Sequence, residues 1–176
     1  MTIQSVLTGI CTYLGGPYDA PTHTYRTSPI SGVGVVRRGW AKRDDHADYF
    51  TNMPPATRTG CQMVVHIPHD MERRRAVGGA HNGMKEIVYD VDLHCFIRSR
   101  TPHAEDAQDD VYALRDAIKA QLRADRTLGG AVFQAGEYVD HGHGQIVCTF
   151  GQPETKAELT KSYLLVQFQA TEFIFA

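Results

Sequence analysis

Residues 85–98 read KEIVYDVDLHCFIR. Within them Val91, Leu93 and Cys95 alternate with Asp90, Asp92 and His94. A period of two places the first set on one side of a strand and the second set on the other. One side is apolar and the other polar, the pattern of a sheet with a single covered face. Upstream, Met71 to Val77 and a Gly-rich turn at 78–83 make this the second arm of a hairpin. Downstream the period changes. Ala107, Val111, Leu114, Ile118 and Leu122 recur at three and four residues, a helix stripe that could supply the cover. Thr101 is placed to cap that helix, with Pro102 in its first turn. Glu105, Asp106, Asp109 and Asp110 stand near its start, and Lys119, Arg123 and Arg126 near its end, which complements the helix dipole.

Outward from this pair the elements thin. Ile3, Val6, Leu7, Ile10 and Leu14 predict an N-terminal helix over 3–14, stopped at Gly15-Gly16-Pro17. Strands are expected at 30–38, 61–67, 131–139, 144–150 and 161–175. Gly32 and Gly34 either weaken the first of these or mark a close approach of backbone. Two long connections, 17–29 and 39–60, carry aromatic and Arg residues: Tyr18, Tyr25 and Arg26 in one, Trp40, Tyr49 and Phe50 in the other. Connections of that length in a compact domain are often binding elements. Helices that do not alternate with strands argue an α+β fold: a mostly antiparallel sheet, a long helix on one face and an N-terminal helix, in a single domain over 1–176.

The 176 residues are 42% hydrophobic and 22% charged, with a formal charge of −2, so strong sequence-independent nucleic-acid binding is not expected. No apolar run is long enough to span a bilayer and no secretory leader is apparent, so neither membrane nor export is expected. Charge is uneven: residues 1–103 hold 12 basic and 9 acidic side chains, residues 104–176 hold 6 and 11. A bipolar subunit suits head-to-tail contacts with its own copies. Arg outnumbers Lys by 13 to 5, and Arg suits interface contacts. Cys11, Cys61, Cys95 and Cys148 show no paired metal-ligand spacing and read as buried thiols.

Catalytic signals are weak. His141-Gly142-His143 could share a metal, yet glycine beside both imidazoles reads as a turn. Asp90, Asp92 and His94 could form an acid–base or cation cluster, but a solvated sheet face looks the same. No phosphate-binding loop, nucleophile elbow or H-E-x-x-H occurs. No cofactor, metal or catalytic residue is therefore assigned. In Arg73-Arg74-Arg75 only Arg73 and Arg75 share a strand face, as a phosphate-contact patch, an inter-subunit salt-bridge edge or a guard against mispairing.

An ordered set of segments carries a resemblance: Glu72-Arg73-Arg74-Arg75-Ala76-Val77-Gly78-Gly79, Gly83-Met84-Lys85, the helix from Ala104-Glu105-Asp106-Ala107 to Asp116-Ala117-Ile118, Leu122 to Gly130, Gln134-Ala135-Gly136-Glu137 and Thr171-Glu172-Phe173-Ile174. Over about residues 61–176 the chain resembles the tail terminator (tail completion) proteins of long-tailed siphophages, especially those of actinobacterial hosts. The resemblance implies an α+β fold without catalysis. It implies a homohexameric ring on the head-proximal end of the tail tube, in a virion assembled in the host cytoplasm. The implied partners are copies of itself, the major tail tube protein and a neck or head–tail stopper protein, with DNA passing through the lumen without specific binding. Interface candidates are Trp40, Tyr49, Phe50, Arg73, Arg75, Tyr18, Tyr25 and Arg26. Asp106, Asp109 and Asp110 are candidates for the lumen wall. The alternatives are another neck component such as a stopper, or a small metal-dependent hydrolase.

Overall fold

The computed structural model describes residues 2–16, 18–19, 24–40, 46–77, 83–139 and 144–175. Helix α1 spans Ile3–Leu14. A two-residue pair follows, β1 at Tyr18–Asp19 and β2 at Thr24–Tyr25. Next come β3 (Val33–Arg37), a single helical turn α2 (His46–Tyr49), and the long strands β4 (Thr59–Val77) and β5 (Gly83–Ser99). Helix α3 covers Ala104–Ala124. The chain then forms β6 (Gln134–Ala135), a 3-10 turn at Gly136–Tyr138, β7 (Val147–Phe150), β8 (Glu154–Lys156) and β9 (Leu159–Phe175).

The main sheet runs β3-β4-β5-β9, and the far edge of β9 carries β8, β7 and β6 in succession. Every pairing in it is antiparallel except β3 with β4. This is the α+β class expected from helices that do not alternate with strands.

One face forms the core. Cys61, Met63 and Val65 of β4, the odd-numbered residues from Ile87 to Ile97 of β5, and Leu164, Val166, Phe168 and Ala170 of β9 are buried together. Val111, Leu114, Ile118 and Leu122 of α3 and Val6, Ile10, Cys11 and Leu14 of α1 cover them. Burying an aliphatic side chain of this size stabilises by roughly 1.5–3 kcal/mol, so these stripes dominate the fold. Helix α1 is closed at both ends. The Thr2 hydroxyl accepts from Ser5 N at 3.2 Å and the Ser5 hydroxyl from Thr2 N at 3.0 Å, while the Gly15 N–H donates to the Cys11 carbonyl.

Several expectations are corrected. The strands at 61–67 and 71–77 are one strand, bulged between His66 and His69 around Pro68. A proline lacks the N–H a ladder needs and sits in a long strand only at such a break. Helix α3 starts two residues later than the Thr101–Pro102 signal. Thr101 is buried, its carbonyl accepts from the Thr160 hydroxyl at 2.8 Å, and its own hydroxyl accepts from His103 N. The sheet therefore claims Thr101 and the helix begins beyond it. Arg126 lies past the helix, which ends at Ala124. The strand expected over 131–139 shrinks to Gln134–Ala135, that over 144–150 to Val147–Phe150, and β8 was not anticipated. No helix among the described residues is long and apolar enough to cross a membrane.

Candidate functional site

The second face of the sheet is only partly covered, and its polar residues gather there. The register sets His66 of β4 opposite Asp92 of β5, and Val64 opposite His94. Asp92 faces Gln167 of β9, and Phe96 faces Tyr163. The period of two then brings His66, Asp92 and His94 to one patch, where one ligating atom from each lies within 4.8 Å of the others.

The patch is supported from outside. Gln167 Nε2 donates to Asp92 Oδ1 at 2.9 Å, and His94 Nδ1 shares a 2.6 Å hydrogen bond with the Tyr163 hydroxyl. His94 Nε2 is buried with no hydrogen-bond partner. Trp40, 55% exposed, lies over both histidines, 4.6 Å from the His94 ring and 5.7 Å from that of His66. Burial pulls the pKa of His94 down and the neighbouring His66 adds to this, against the pull of Asp92, so the imidazole is neutral at neutral pH. Beside the patch, Gln169 Nε2 donates to Asp90 at 2.9 Å and His69 Nδ1 lies 3.3 Å from it. A shallow cleft of about 270 Å³ opens there, lined in part by Pro68, Asp90, Asp92, Gln145 and Gln167.

Two imidazoles and a carboxylate can share a proton or ligate an ion. Burial pushes Cys11 up to about 12, and raises Cys61 and Cys148 as well, so these sulfurs stay protonated.

The aromatic residues of the 39–60 connection divide. Trp40 remains open, whereas Tyr49 is buried with the Arg98 guanidinium 4.2 Å above its ring. Phe50 is half-buried under Arg100 at 4.0 Å. The Tyr49 carbonyl seats between two strands at Gly34 and Gly60, where an added Cβ would fall within 3.0 Å of it. Gly34 thus marks a close backbone approach. Arg37 binds Asp48 and ties the same segment down. Tyr49 and Phe50 thus both pack on their own domain, Tyr49 fully and Phe50 in part.

Arg73 and Arg75 share a face as expected, and both donate through Nε to the buried Glu86, at 2.7 and 2.6 Å. Asp110 is held by Arg58 and the Thr59 hydroxyl, Asp106 lies 3.5 Å from the Thr101 hydroxyl, and Asp109 is exposed. Arg26 is exposed, and its stem runs beside Gly16. Tyr18 and Tyr25 are paired in register between β1 and β2. His141 and His143 lie outside the described residues. Nothing in the local sequence marks His66, because its place beside Asp92 depends on the β4–β5 register and the adjoining bulge.

The third feature is an arm. Strand β3 covers β4 only from Cys61 to Val64, so the outer edge of β4 from Val65 to Val77 has no strand partner among the described residues. Exposed apolar side chains stand on the arm: Met71, Phe133 stacked edge-on against Phe173 at 4.8 Å, and Phe175, which is 85% exposed. No family model matches the chain, and no curated protein matches it.

Proposed function

We propose that the chain is a structural subunit that closes into a ring, a tail terminator that ends tube polymerisation and joins the tail to the neck. The observation that carries this reading is the long outer edge of β4, which no strand among the described residues pairs beyond Val64. An unpaired strand edge is a template for another chain, and natural monomers cover or shorten it. Here it is long, and it carries exposed Arg74 beside charges already paired within the arm, Glu72 with Lys85 and Arg73 and Arg75 with Glu86. A heterologous contact, one patch on a different patch, is the geometry of a closed ring. The resemblance supplies the rest: six copies, with the tube protein and a neck or stopper protein on the two axial sides. Trp40, Arg26, Met71 and Phe175 are open for such contacts. Asp106 and Asp109 would present negative charge to passing DNA, while Asp110 is neutralised by Arg58. No bond-making is assigned to the protein.

The test is genetic and visual. Particles lacking the chain should carry tails of uncontrolled length, or tails that fail to join heads, in electron micrographs. Tails of normal length and attachment would refute the proposal.

A further inference from the structure

Apart from any role in a ring, we propose that His66, Asp92 and His94 bind one divalent transition-metal ion of the zinc class, on the open face of the sheet beneath Trp40. The donor set chooses the ion. Two imidazoles and one carboxylate suit Zn²⁺, Co²⁺ or Ni²⁺, whereas Mg²⁺ and Ca²⁺ require oxygen ligands. Three protein ligands leave a fourth position for water or another group.

The three side chains converge on one point of the sheet face and must draw together to hold an ion. The three ligating atoms lie within 4.8 Å of one another. The two imidazole centroids are 6.0 Å apart, against about 5 Å for two imidazoles on one tetrahedral ion with Zn–N of about 2.0–2.1 Å. Side-chain rotations on two fixed strands can supply that difference. Two of the three residues, His94 and Asp92, carry outer supports of the kind a metal centre uses. Tyr163 engages Nδ1 of His94, which leaves Nε2 as the nitrogen for an ion, and that atom is buried without a partner. Gln167 orients the Asp92 carboxylate. Ligating histidines and carboxylates are ordinarily held by such second contacts. A partnerless buried nitrogen is costly, and an ion would remove the cost.

The chain has a single tryptophan, and it sits over the site, so Trp40 emission reports binding directly. The intact protein is stripped with a chelator and titrated with Zn²⁺ by calorimetry and with Co²⁺ by fluorescence and visible absorption. One equivalent should bind, with Co²⁺ quenching Trp40. His66→Gln and Asp92→Asn should each weaken Zn²⁺ binding by about 100-fold or more, beyond the roughly 10–100-fold of an outer support such as Gln167→Leu. His69→Gln should leave binding unchanged. If either ligand variant unfolds by circular dichroism, histidine NMR of the wild type decides: Zn²⁺ must shift the ring signals of His66 and His94 and spare His69. Failure to saturate overturns the proposal. So does binding that survives His66→Gln and Asp92→Asn but vanishes when His141 and His143 are both changed to Gln.

Discussion

Replacing Gly34 or Gly60 with alanine should lift the α2 segment off the sheet. A Cβ at Gly34 would lie 2.5 Å from the Tyr49 carbonyl oxygen and 2.7 Å from that of Asp48. At Gly60 it would press the same Tyr49 carbonyl group and come within 2.9 Å of the Phe50 ring. Neither glycine has a positive φ, so backbone strain is no part of the effect. The obstacle is main chain, which must retreat by about 1 Å to reach ordinary contact distance. Overpacking of this kind costs roughly 1–3 kcal/mol. Alanine returns about 0.4–1 kcal/mol by restricting the unfolded chain. The net loss is therefore about 1–2 kcal/mol, a fall in Tm of roughly 2–8 °C for a chain of 176 residues. The double variant displaces one carbonyl once, so its loss should fall short of the sum by roughly 1 kcal/mol. Gly39→Ala is the control, because nothing lies within 4 Å of the added carbon. Urea denaturation followed by circular dichroism measures all four. Single variants as stable as wild type, or a strictly additive double variant, would mean that Tyr49 is not seated between these strands.

Glu86→Gln keeps the shape of the arm but removes the charge shared by Arg73 and Arg75. Losing one partner of a fully buried pair costs about 3–5 kcal/mol, but both arginines are more than a third exposed, so water screens the effect to about 1–2 kcal/mol. Hydrogen exchange should quicken first at residues 71–76 and 84–88, and unchanged protection there would contradict the pairing. Of the cysteines, half-buried Cys148 should react first with a disulfide reagent at neutral pH, well ahead of buried Cys11, Cys61 and Cys95. Burial raises Cys11 from 9.0 to about 12 and Cys61 well above 9.0. Folded thiols that hold their protons more tightly than unfolded ones add stability below pH 9, and that contribution is lost as pH climbs toward 12. Equal labelling of all four thiols in the native protein would contradict the core assignment.

Much of the fold is written in local periodicity. The alternation through Val91, Leu93 and Cys95 and the stripe from Ala107 to Leu122 define a sheet with one helical cover. Where tertiary pairing decides, the sequence is silent. Strands β6, β7 and β8 are two to four residues long, and β7 and β8 are largely exposed, so no periodicity announces them. Pro68 splits the signal of β4 although the strand continues through it. The site divides in the same way. Asp92 and His94 share a face by spacing alone, but His66 joins them only through a register that the bulge permits. Trp40 was visible as an aromatic in a long connection, whereas its seat over two histidines was not.

Strand β9 lies inside the sheet, with β5 along one side and β8, β7 and β6 along the other. It follows all of them in sequence, and its partners in β5 are some 60 to 90 residues earlier. Pairings between such distant segments close large loops and form slowly. On the ribosome, β5 and β7 therefore emerge before the strand that joins them exists. A product cut short before Leu159 lacks the strand that joins β5 to β6, β7 and β8, and its apolar face is left without its centre. The sheet therefore stays open along β5 until β9 has been made.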